Sequence, residues 1–160
     1  MSAHVMGRDD GQILGALDGV RDRFLVGAED SGGGFALVEH LMAPRALAAP
    51  LHRHTREDEY SYVLQGRVGA LLGDEEVFAD VGTLIFKPRS QWHTFWNAGD
   101  EPARILEIIS PGGLEELFRR LGTLDTEPDP ETMAALAAGY GAEVDFERTM
   151  PIIERHGLNF

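Results

Sequence analysis

The chain has 160 residues, the length of one ordinary domain with a sizeable core and too short for two. Apolar residues make up 43% and charged residues 26%, the balance of a soluble globular protein rather than a disordered or fibrous one, and no apolar run approaches the roughly 20 residues that span a bilayer. The formal charge of -13, from 27 acidic and 14 basic side chains, repels phosphate backbones and anionic lipid, so neither nucleic acid nor membrane is an expected partner.

The N-terminal arm, residues 1–22, lacks the basic and apolar regions of a secretory signal, and a cytoplasmic location is the expectation. From 23 to 110 the sequence is a series of short apolar or alternating runs cut by Gly, Pro, Asp and Asn, which read as strands. The runs are 24–28, 35–42, 60–64, 68–72, 76–81, 83–87, 93–96 and 104–109. Turns such as Gly32-Gly33-Gly34, Gln65-Gly66, Gly73-Asp74 and Asn97-Ala98-Gly99-Asp100 separate them. So many short strands imply an all-β barrel or sandwich.

After Pro111, Leu114, Leu117, Phe118 and Leu121 recur at the spacing of one helix face, and Gly122 ends the run. A loop over 123–130, a short helix over 131–138 and a third helix over 145–156 complete a helical extension, 111–160, of the same domain. Pro151 either opens the third helix or kinks it. These helices are expected to pad an edge of the barrel rather than close its mouth.

Cysteine is absent, so any metal must be held by nitrogen and oxygen ligands. The segment 50–66 supplies them. His52 and His54 share one face of a strand because side chains there alternate with period two, and two imidazoles on one face can share an ion. Glu59 opens the next strand after a short polar turn, and His93 opens another that a barrel could bring back opposite.

The spacing resembles the cupin family. Its first motif, G-x5-H-x-H-x3-4-E-x6-G, is matched at His52, His54, Glu59 and Gly66, with Ala46 in place of the leading glycine. Its second, G-x5-P-x-G-x2-H-x3-N, is matched at Gly82, Pro88, His93 and Asn97, with Ser90 in place of the internal glycine. The missing glycines belong to turns and leave the ligands intact. The resemblance implies a double-stranded β-helix, or jelly-roll, barrel holding one divalent transition metal ion (Fe, Mn, Ni, Zn or Cu) through His52, His54, Glu59 and His93.

Such a ligand set leaves two adjacent octahedral positions open. Similarity to quercetinase-like microbial cupins implies a dioxygenase-like enzyme acting on a small enolic or phenolic molecule, with Glu59 as the catalytic base. A non-oxidative isomerase, cyclase or lyase, or a small-ligand sensor, are the alternatives. Strand alternation places Ser61, Val63 and Phe95 in the substrate pocket, joined by either Leu84 and Phe86 or Thr83 and Ile85. Tyr60, Tyr62, Trp92 and Trp96 then face outward, and exposed aromatics on a sheet suggest a homodimer. His4, His40 and His156 receive no role.

Overall fold

The computed structural model describes residues 3–160; residues 1 and 2, the start of the expected arm, lie outside the described residues. The elements run β1 (Gln12–Gly15), β2 (Val20–Val26), β3 (Ala36–Met42), β4 (Leu51–His54), β5 (Asp58–Gln65), β6 (Val68–Leu72), β7 (Glu75–Ala79), β8 (Leu84–Lys87), β9 (His93–Asn97), β10 (Ala103–Ser110), α1 (Glu115–Gly122), α2 (Pro130–Gly139), β11 (Ala142–Asp145) and α3 (Phe146–His156). The strands form two antiparallel sheets, ordered β1-β2-β3-β10-β5-β8 and β11-β4-β9-β6-β7. Their inner faces meet in one core that draws Met42, Val63 and Ile105 from the first sheet and Val68, Ala70 and Phe95 from the second. No helix among the described residues is long and apolar enough to cross a membrane.

Strict alternation builds the walls. On β10, Ala103, Ile105, Glu107 and Ile109 are buried while their neighbours are partly exposed, as period two requires of a strand covered on one face. The same rule settles β8: Ile85 and Lys87 point inward, and Leu84 and Phe86 point out. All eight expected runs are strands, and β1, β4 and β11 join them. Residues 12–22 are therefore not a free arm, because β1 and the first residues of β2 pair in the sheet from Gln12↔Phe24 onward. Their sequence, broken by Gly15, Asp18 and Gly19, carries no alternation signal; backbone pairing places β1 at the sheet edge.

Trp96 corrects a second expectation. It faces away from the barrel interior, but α3 covers it, so the indole is fully buried with Leu47, Ile152 and Leu158. Opposite it, a Cβ on Gly69 would meet the ring at 2.3 Å, a distance real side chains do not show, so a glycine is needed there. The covering helix starts at Asp145, whose carboxylate accepts the Arg148 N–H at 2.9 Å. It ends at Gly157 in the left-handed region with φ 60°, and Pro151 lies in its interior.

The outer face of the first sheet has no such cover. Tyr62 on β5 and Leu84 and Phe86 on β8 are 42%, 54% and 48% exposed, and Phe86 stacks on Tyr60 with ring centroids 4.9 Å apart. Clustered apolar side chains along an edge strand mark an association surface. We propose that this face pairs with a second copy of the chain. Sedimentation should give a dimer that Phe86→Glu shifts to the monomer; a wild-type monomer at tens of micromolar protein contradicts the pairing.

Candidate metal centre and cavity

Two sheets supply the site. His52 and His54 share one face of β4, and the antiparallel pairing of β4 with β9 sets His52 directly opposite His93. The three rings cluster, with centroids 4.4 Å apart for His52 and His93, 5.0 Å for His54 and His93 and 5.6 Å for His52 and His54. Glu59 reaches them from β5 in the facing sheet. One ligand atom from each of the four residues lies within 4.8 Å of every other.

The hydrogen bonds decide which edge of each ring faces the centre. His52 Nδ1 lies 2.7 Å from the Pro50 carbonyl, His54 Nδ1 3.0 Å from that of Glu57 and His93 Nδ1 3.0 Å from that of Gln91. A carbonyl only accepts, so each Nδ1 carries a proton, and in the neutral ring each Nε2 presents a lone pair inward. His54 Nε2 and His93 Nε2 then approach Glu59 Oε2 at 3.3 and 3.2 Å as acceptor against acceptor. Both imidazole nitrogens are buried without a hydrogen-bond partner, and Glu59 Oε2 is met by the Lys87 ammonium at 3.0 Å. Buried orphan acceptors are costly, and a cation among them removes that cost, so the residues present fit a metal ion. Burial, together with the neighbouring imidazole charge, holds His52 well below the ordinary histidine range, and burial also lowers His93; the neutral form that results is the ligating form.

Behind the ligands lies a buried network whose Lys87 and Glu107 the sequence reading did not single out. Lys87 on β8 is fully buried, with Nζ 3.0 Å from Glu59 Oε2 and donating to Glu107 Oε2 at 3.1 Å. Glu107 also accepts the Ser61 hydroxyl at 2.6 Å. Burial pushes Lys87 down, but the charges of Glu107 and Glu59 outweigh it and hold the ammonium above its usual range. Burial likewise raises Glu59, yet the Lys87 charge prevails and keeps its carboxyl well below the usual range. Farther along, His40 Nδ1 donates to Asp22 Oδ1 at 2.6 Å and its Nε2 lies 3.8 Å from Glu107 Oε2. A strand-parity signal could have found Lys87, Glu107 and His40: each follows an inward apolar residue, Ile85, Ile105 or Val38, by two positions.

The site opens into a cavity of about 680 Å³, within the range of small-molecule pockets. His52, Glu59, His40, Asp22 and Phe95 line one part of it. Of the expected pocket residues, Phe95 lines the cavity, Ser61 is set behind it on Glu107, and Val63 belongs to the apolar core. The parity of β8 removes Leu84 and Phe86 from the interior. The helical extension does more than pad: Leu114, Leu117, Phe118 and Leu121 around α1, with residues 124–128, line another part of the cavity. Padding is confined to α3. The apolar face read at 114–121 closes the barrel mouth because the ends of β2, β3 and β10 leave Phe24, Ala36 and Ile109 to be covered there.

The cupin domain family matches residues 38–109. The tetracenomycin polyketide synthase protein TcmJ of Streptomyces glaucescens is 30% identical over 113 residues, which span 71% of this chain and 74% of TcmJ. The chain belongs to the cupin family. A second relative, the polyketide synthase CurC of Streptomyces cyaneus, is 39% identical over 79 residues, 48% of this chain and 47% of CurC. Among solved structures, KdgF from Halomonas sp. superposes with TM-score 0.61 at 18% identity, over 72% of this chain and 99% of its own. The polyketide cyclase RemF from Streptomyces resistomycificus does so with TM-score 0.59 at 24% identity, over 68% and 80%. At these identities the structural likeness speaks for the cupin barrel alone.

Lys87→Met should destabilise the fold by about 3 to 5 kcal/mol, because it leaves two buried carboxylates without their cation. The wild-type Glu59 carboxylate, held low, contributes stability that is full above its ordinary pKa of 4.5 and is lost progressively as the pH falls below 4.5 toward the lower folded value. The variant's deficit in chemical denaturation should accordingly be larger at pH 8 than at pH 4; an equal or smaller deficit at pH 8 counts against the ion-pair account.

Proposed function

We propose that this cupin is a metal-dependent enzyme that takes an enolisable or phenolic, polyketide-like molecule into the barrel cavity and promotes its cyclisation without oxygen. The observation that carries the reading is the set of three imidazole Nε2 edges and one Lys87-paired carboxylate gathered at one point, beside a cavity otherwise lined largely by apolar side chains. The names of TcmJ and CurC, both polyketide synthase proteins, support the substrate class.

A divalent ion bound by His52, His54, Glu59 and His93 would supply positive charge to polarise a carbonyl or phenolate oxygen. The chain's own residues do the rest. Lys87 anchors Glu59 from behind, which suits a fixed ligand better than the mobile base expected from the sequence. Phe95, Leu117 and Phe118 offer apolar and aromatic surface against which a flat conjugated molecule packs, and they exclude water from its reacting carbons. A dioxygenase is the second reading; the same ligand set, with two positions free, favours it, and oxygen dependence separates the two.

Anaerobically purified protein should contain about one transition metal ion per chain, and His93→Ala should bring this well below one; unchanged metal in the variant refutes the four-residue site. Offered a panel of aryl poly-β-ketones and naphthols, the metal-loaded protein should form the same ring-closed products under argon and under air. Products that appear only with oxygen consumption overturn cyclisation in favour of the dioxygenase reading.

A further inference from the structure

The cavity has a second polar station besides the metal-binding group. His40 on β3 and Asp22 on β2 are register partners in the sheet, and both line the same cavity as His52 and Glu59. His40 is only 5% exposed. It sits between the rings of Phe95 and Phe118, with centroids 5.6 and 5.7 Å away. Its Nδ1 is tied to Asp22 Oδ1 at 2.6 Å. Its Nε2 lies 3.8 Å from Glu107 Oε2, too far for a hydrogen bond, and Glu107 already receives Ser61 and Lys87. Among the described residues no protein group hydrogen-bonds that Nε2.

A histidine oriented by a carboxylate at one nitrogen and free at the other is the arrangement of a general base. The bland alternative is a buried pair that fastens β2 to β3. That role needs only Nδ1 and Asp22; it accounts neither for the unpartnered nitrogen nor for the placement of both residues on the cavity wall. We propose that His40, oriented by Asp22, is the catalytic residue that takes a proton from the enolisable substrate and returns it, at a station separate from the metal-binding group. This rests on the function proposed above.

The proton account closes without an oxidant. His40 Nε2 accepts the proton from a carbon beside a carbonyl; the C–H electron pair becomes the enolate C=C, and the carbonyl π pair moves to oxygen. The imidazolium so formed is stabilised by the Asp22 carboxylate. As the enolate carbon bonds to a second carbonyl carbon, that carbonyl's π pair goes to its own oxygen, which takes the proton back from Nε2. Five groups on five elements face the ring: Asp22 from β2, Glu107 from β10, Lys87 from β8, Phe95 from β9 and Phe118 from α1. Burial lowers the His40 pKa, Asp22 and Glu107 raise it by more, and Lys87 partly opposes them, leaving it above the ordinary histidine value.

The test uses the metal-loaded full chain and 1-phenylbutane-1,3-dione as probe, with deuterium uptake at the carbon between the two carbonyls followed by NMR in D₂O. Wild type should accelerate exchange over buffer. His40→Gln should lose about 100-fold of that rate while keeping its metal content and its melting temperature. Asp22→Asn leaves the imidazole in place and carries the test should the glutamine variant not fold: the rate should fall, and the midpoint of its rise with pH should move downward, which a merely structural carboxylate would not cause. Wild-type exchange retained in His40→Gln, or an unmoved midpoint in Asp22→Asn, overturns the role of His40 and leaves the proposed function standing. Wild-type protein that does not accelerate exchange at all overturns the enolisation chemistry itself, and the role of His40 with it.

Discussion

Three imidazoles turn the same edge toward one point because the other edge of each is tied to a backbone carbonyl. The carbonyls of Pro50, Glu57 and Gln91 belong to the turns and strand ends beside the ligands, so the ring orientations are set by the local backbone and do not depend on anything bound between them. Glu59 arrives from the opposite sheet, which means that the site exists only when the two sheets close. The barrel and the centre are therefore one structure: the pairing of β4 with β9 and the packing of β5 across the interior determine both.

Placing so much polarity inside a barrel demands compensation. Glu59 and Glu107 share the single ammonium of Lys87, Ser61 donates to Glu107, and His40 stands between Asp22 and Glu107. Each member is held by its neighbours, and the apolar layer of Met42, Val63 and Ile105 lies next to the network while α1 closes the barrel on the side of Ile109. His52, Glu59, Asp22 and His40 all line the cavity, so that a bound molecule meets both charge and a proton acceptor there.

How much of this was legible depended on whether the chemistry was local. The four ligands stood out because the His-x-His pair and its following glutamate obey a spacing set by one strand and one turn, and the period-two runs located the walls. The helix face at 114–121 was equally plain, but its task was not, because what it covers is decided by where β2, β3 and β10 end. Lys87, Glu107 and His40 were missed for a related reason: each looks like an ordinary surface residue until strand parity is known, and at β8 the pattern of alternating apolar residues on both faces left parity open. Trp96 misled in the opposite way, since an outward position on a sheet says nothing of a helix that returns fifty residues later to cover it. The edge strands β1 and β11 carry no periodic signal at all and are defined by their pairing partners.

The central claim is that one ion is held by His52, His54, Glu59 and His93 together. Metal-edge X-ray absorption on the anaerobically purified protein tests it most directly, because imidazole rings give a scattering pattern that simple oxygen ligands do not. The account predicts a shell containing three imidazole nitrogens with the remaining ligands oxygen. A shell with a single imidazole, or with oxygen alone, would contradict it.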